Sequence, residues 1–237
     1  MRPARVCDEI PVVSSWGELT NGLWLHQQIE ATLAAYWPQL FGYHLLKLGP
    51  LAHSLRTEAC PIQHQFSVAI EQGNVRSEMT ALPFRRGCID VCIAPFCIES
   101  QRDPHLMLRE IDRVLIAGGH LLLIDFNLRS PLIFGYLLPH LRQRPPWNGR
   151  LFSRTRIEDW LSVLGYQVVA QEAITLHSFL MSPNRFQTWR THTEHWLPSW
   201  GSVHLLLAKK LDSPLSPVKQ RQRVRSRLLT PIADLAG

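Results

Sequence analysis

The chain has 237 residues, 46% of them hydrophobic, which is enough for one domain with a buried core and leaves little for a second. No apolar run approaches the ~18 residues needed to cross a bilayer, so a membrane-spanning helix is not expected. Five scattered cysteines (Cys7, Cys60, Cys88, Cys92, Cys97) form no CxxC pair, which argues against a disulfide scaffold and suits reduced thiols in the cytoplasm.

The net charge of +6 is local rather than general. From Lys209 onward seven basic and two acidic residues give +5, and the preceding 208 residues carry only +1. The body is therefore nearly neutral, and only the tail could attract nucleic acid or an anionic surface. The tail lacks interleaved aromatics, so that role is not favoured. The opening "MRPARVCDEIPVVSSW" has acids and no apolar core of signal-peptide length, and no secretion signal is expected.

Along the chain, residues 18–40 read as a helix, with Ile29, Leu33, Trp37 and Leu40 on one face and Pro38 near its end. "YHLLKLG" (43–49) is a short apolar strand running into glycine. "HQFSVAI" (64–70) and "VRSEM" (75–79) read as strands joined by a Gly73-Asn74 hairpin turn, because four intervening residues are too few for a parallel crossover. "CIDVCIAPF" (88–96) is a strand buried on both faces. Met107, Ile111, Val114 and Leu115 line one helical face, and Gly118-Gly119 are expected to stop that helix before the strand "HLLLIDF" (120–126).

Further on, "SPLIFGYLLPHLR" suggests a helix interrupted by Pro139. Thr155 to Glu158 is a capping box opening the next helix, which Gly165 closes. "YQVVAQEAI" and "VHLLLAKK" (203–210) are the last strands, expected to pair antiparallel. Between them, residues 176–202 hold Trp189, Trp196 and Trp200. The sequence predicts a helical extension over 1–42, an α/β domain over 43–210 and a basic disordered tail over 211–237.

The stretch from Leu82 to Phe126 carries Leu82-Pro83-Phe84, Asp90, Asp103-Pro104, Arg113-Val114-Leu115 and Gly118-Gly119 in order. This series resembles class I S-adenosylmethionine-dependent methyltransferases of the ubiquinone/menaquinone-methylase type, over roughly residues 75–210. "FGYHLLKLG" and the length are similar to a group of enterobacterial methyltransferase-like proteins. The resemblance implies a doubly wound, mostly parallel Rossmann-like α/β sheet with an antiparallel last strand. It also implies S-adenosylmethionine as cofactor and a small-molecule methyl acceptor. Cofactor contacts are implied for Gly49, Glu78, Met79, Ala94 and Phe96. No catalytic residue is implied, because an electrophilic methyl group needs mainly alignment.

The N-terminal half departs from the family pattern. Its loop usually reads acid-x-Gly-x-Gly-x-Gly, and here it is Lys47-Leu48-Gly49-Pro50-Leu51-Ala52-His53. Leu51 adds an isobutyl group where backbone normally approaches the cofactor, and Lys47 replaces a carboxylate. Glu71 is the nearest counterpart to the ribose-holding acid. Two readings therefore stay open, a methyltransferase or a binding protein of the same shape without catalysis. Asp90 is expected to align its strand, and Asp125 to be a satisfied loop carboxylate near the acceptor. Cys92 and Cys97 are expected to be core thiols. The spacings Cys60-x3-His64 and His192-x2-His195 match no paired zinc pattern, so no metal is expected.

Overall fold

The computed structural model describes residues 12–128, 130–138, 141, 144–175 and 201–211. Seven strands form one sheet: β1 (His44–Leu48), β2 (His64–Ala69), β3 (Val75–Arg76), β4 (Ile89–Pro95), β5 (Leu115–Phe126), β6 (Tyr166–Thr175) and β7 (Val203–Lys210). Their order is β3-β2-β1-β4-β5-β7-β6. The first five are parallel, and β7 runs antiparallel to both β5 and β6, as expected for the last strand. The helices are α1 (Gly22–Tyr36), α2 (Pro50–His53), α3 (Pro104–Val114) and α4 (Arg154–Val163).

Alternation along the buried strands sends successive side chains into two cores. Leu45, Val91, Ile93, Leu122, Ile124 and Leu205 face one layer with Leu25, Ile29 and Leu33 of α1. Leu46, Cys92, Ala94, Leu121, Leu123 and Leu206 face the other, against Met107 and Ile111 of α3 and Trp160 and Leu161 of α4. Tyr36 ties α1 to β6 through its hydroxyl, which donates to Glu172 Oε2 at 3.0 Å. Asp90 does align a strand: its Oδ2 accepts from the backbone N–H groups of Tyr43 and His44, each at 2.9 Å.

Four local expectations are corrected. The link 70–74 is not a hairpin, because β2 and β3 pair in parallel through Val68–Val75 and Ala69–Arg76. The pairing is only two residues long, so the chain can fold straight back across β2 without a crossover helix. It crosses at Gly73, where a Cβ would lie 2.5 Å from Ala69 N and 2.7 Å from Ser67 O. β3 accordingly stops at Arg76 rather than Met79.

Gly118 and Gly119 do not cap α3, which ends at Val114 with Leu115 already extended. They lie inside β5, where the register jumps from Ile89–Leu115 to Val91–His120. Gly118 takes φ +77°, and a Cβ on Gly119 would meet Asp90 O at 2.9 Å, so the pair permits a bulge against β4. The cap of α4 is Ser153, two residues before Thr155, and Glu158 pairs instead with Arg154 at 3.2 Å. Pro131–Leu137 is a 3₁₀ segment rather than an α-helix. Pro139, the three late tryptophans, His192, His195 and the tail beyond 211 lie outside the described residues.

Candidate active site

The carboxyl ends of β1, β2, β4 and β5 form the rim at which doubly wound sheets place their ligands. At the end of β1, Gly49 takes φ +91°, a conformation that side chains disfavour. Its N–H donates to Val68 O at 2.8 Å. A Cβ there would lie 2.6 Å from Cys97 Sγ and 3.7 Å from Met79 Cε, so three segments converge on this glycine. Met79 is buried, with Gln101 Nε2 at 3.5 Å from its sulfur. Glu78 beside it is exposed, and its Oε2 accepts a long 3.4 Å bond from Thr80 Oγ1. Glu71 is also exposed.

Phe96 directly follows β4 and takes φ +52°, a strained value for an aromatic residue. Its N–H donates to Ile124 O at 2.7 Å, and its ring stacks on Phe126 at 4.2 Å and meets Trp16 edge-on at 6.0 Å. Ala94 is fully buried in the second core, in register with Leu123. Gly49, Met79 and Phe96 therefore stand at the rim, Glu78 at its exposed margin, and Ala94 within the core below.

The altered loop folds as one helical turn. Pro50 occupies the first turn of α2, where its missing N–H costs nothing. Leu51 is buried in the first core, and its carbonyl accepts from the Trp16 indole at 3.2 Å. That indole N–H also reaches Ser54 Oγ at 2.7 Å. The Lys47 ammonium is engaged by backbone: Nζ donates to Leu55 O at 3.0 Å. Partial burial lowers its pKa, against a smaller opposing influence of Cys60.

Asp125 differs from expectation. It is 1% exposed within β5 rather than a satisfied loop carboxylate, and neither of its oxygens has a hydrogen-bond partner among the described residues. Glu99, in the turn after β4, lies beside it, 8% exposed. Burial drives both carboxyls upward, Glu99 to about 7 and Asp125 well above its usual range. Trp16, Glu99 and His204 were not legible as rim residues, because each is an isolated side chain in an ordinary apolar or mixed stretch. Cys92 and Cys97 are buried thiols, as expected, and burial raises both. Among the described residues no group of three His, Cys, Asp or Glu could hold a metal ion, and no helix is long and apolar enough to cross a membrane.

Comparison with known proteins agrees with this architecture. A family model described as a methyltransferase domain matches residues 45–123. The chain is 34% identical over 225 residues to the uncharacterised protein YafS of Escherichia coli K12, covering 93% of this chain and 91% of that one. Among solved structures, a SAM-dependent methyltransferase from Archaeoglobus fulgidus superimposes with a TM-score of 0.56 at 17% identity, covering 78% of this chain and 94% of that chain. A SAM-dependent methyltransferase from Thermotoga maritima gives 0.54 at 16% identity, covering 82% and 99%. The strand order, the matched domain and the near full-length similarity to YafS together make this chain a member of the class I S-adenosylmethionine-dependent methyltransferase family, in the branch that contains YafS.

Proposed function

We propose that this chain binds S-adenosylmethionine across the carboxyl ends of β1, β2 and β4 and transfers its methyl group to a small-molecule acceptor. The observation that carries this reading is where the two unfavourable loop substitutions point. Lys47 spends its ammonium on Leu55 O, and Leu51 folds its isobutyl group into the first core. Neither places charge or bulk beside the Gly49–Met79 contact.

The remaining rim suits a nucleoside. Gly49 lets backbone approach closely, Met79 and Phe96 offer apolar surface, and the exposed Glu78 carboxylate would accept from an adenine amino group. When bound, S-adenosylmethionine supplies an electrophilic methyl carbon. The protein's task is then to align the acceptor and exclude water, and Trp16, Phe96 and Phe126 furnish that apolar wall. The family resemblance and the nearly neutral body support a small acceptor over a polyanion.

Calorimetric titration tests the assignment of Glu78. Wild-type protein is expected to bind S-adenosylmethionine. Glu78→Ala is expected to weaken it about 10-fold or more, because a hydrogen bond to a charged group contributes about 1.5–3 kcal/mol. Unchanged affinity in the variant would remove Glu78 from the site. The alternative of a fold-sharing binding protein without catalysis draws on Trp16, whose indole fastens α2 to the N-terminal segment. Conversion of the cofactor to S-adenosylhomocysteine, followed by mass spectrometry, separates the two.

A further inference from the structure

Three buried titratable side chains meet where β4 and β5 end against β7, and cofactor binding uses none of them. Glu99 is 8% exposed, Asp125 1% and His204 4%. Asp125 and His204 are register partners across the antiparallel β5–β7 pair, which puts both side chains on one face of the sheet. Glu99 Oε1 accepts from Phe126 N at 2.9 Å, which fixes the carboxyl beside Asp125. The Asp125 carboxyl lies beside that of Glu99, and two buried carboxyls this close favour holding one proton between them over ionising together. Among the described residues no hydrogen-bond partner reaches Glu99 Oε2, either Asp125 oxygen or either ring nitrogen of His204. Native structures rarely leave buried polar atoms unmatched, and sets of them mark functional positions.

Resting on the methyltransferase reading above, we infer that Glu99 and Asp125, backed by His204, form the group that takes up the acceptor's proton. The acceptor is then protic, an O–H or N–H compound that must lose a proton as it is methylated. The acceptor atom's lone pair forms the bond to the methyl carbon, and the C–S electron pair withdraws onto sulfur. The proton passes to an ionised oxygen of the pair. A single shared proton suits this role, because one carboxyl can ionise while its neighbour holds it by a hydrogen bond.

The other titratable groups around the pair do not compete near neutral pH. Burial raises the thiol of Cys97, and burial together with Glu99 raises Tyr136 of the 3₁₀ segment. Burial lowers His204 to about 4, with a smaller push in the same direction from Arg154. The carboxyl pair is therefore the group here that changes charge near pH 7.

Sinefungin, a cofactor analogue with an amine in place of the methylsulfonium group, tests this directly against S-adenosylhomocysteine, which carries no such charge. At pH 8 sinefungin is expected to bind about tenfold tighter than S-adenosylhomocysteine, with the preference shrinking toward pH 5.5 as the pair gains its second proton. Glu99→Gln keeps the acceptor for Phe126 N and is expected to erase the preference while S-adenosylhomocysteine still binds. Asp125→Asn gives the same readout should Glu99→Gln not fold. Equal binding of the two ligands by the wild type, or a preference that survives both substitutions, overturns the inference and leaves the methyltransferase reading intact. Failure of both nucleosides to bind overturns the methyltransferase reading itself, and the proton-acceptor role with it.

Discussion

Trp16→Ala is expected to cost about 3–5 kcal/mol, the range for removing a large buried aromatic side chain, and to lower the melting temperature by roughly 10 °C. Trp16 is 6% exposed and belongs to the first core together with Leu51, Phe96 and Phe126. Its ring lies 4.9 Å from that of His26, and its indole N–H holds both Leu51 O and Ser54 Oγ. The segment around it has no slack: a Cβ on Gly22 would lie 1.7 Å from Trp16 O. Truncation would open a cavity between the N-terminal segment and α2 and leave a buried carbonyl with a weaker set of donors. Trp16→Phe keeps most of the packing and loses only the indole bonds, so about 1 kcal/mol is expected there. Urea denaturation of the two variants checks the ordering, and equal losses would show that packing at this position contributes little.

The buried carboxyl pair makes a second large effect, visible in how stability depends on pH. Glu99 keeps its proton up to about 7 in the folded chain, against an ordinary value of 4.5, and desolvation is the main cause. Between those values the folded state binds more protons than the unfolded chain, so this group's contribution to stability falls as pH rises through the window. The full loss is on the order of 3 kcal/mol, and Asp125, also raised, acts in the same direction. His204 works oppositely: its folded value of about 4 lies below the ordinary 6.5, so stability falls as pH drops through that range. The two largely offset each other between pH 4.5 and 6.5 in the wild type. Glu99→Gln removes one side of the balance. Relative to wild type, the variant is expected to gain about 3 kcal/mol in denaturant midpoint analysis on going from pH 5 to pH 8. A stability difference that does not change with pH would mean Glu99 titrates like an exposed acid.

Much of the architecture was legible because parallel strands announce themselves. "CIDVCIAPF" and "HLLLIDF" are apolar on both faces, and Met107, Ile111 and Val114 share one helical face, so β4, α3 and β5 followed from periodicity. The antiparallel β7 followed from the lack of a crossover helix. The misplacements were local and shared a cause: glycines and caps were read from sequence spacing, whereas their use is set by what lies across the sheet. Gly73 serves a backbone crossing over β2, and Gly119 serves a close approach to Asp90 O. Neither neighbour is near in sequence.

The site was less legible for the same reason. Lys47 and Leu51 read as obstacles because the family pattern gives only residue identity, and identity does not show direction. In the fold Lys47 points to Leu55 and Leu51 into the core. Asp125 was visible as an acid at a strand end, but its partner Glu99 sits 26 positions earlier and His204 79 positions later. Their proximity is a product of strand order alone.

A crystal of the full chain soaked with S-adenosylhomocysteine shows whether the carboxyl rim of the sheet holds the cofactor. Adenosine density is expected over the Gly49–Met79 contact, with the adenine amino group at Glu78 and the thioether sulfur turned toward Phe96. Density elsewhere, or a rim in which Trp16, Leu51 and Phe96 close over Gly49 and exclude the nucleoside, would contradict it.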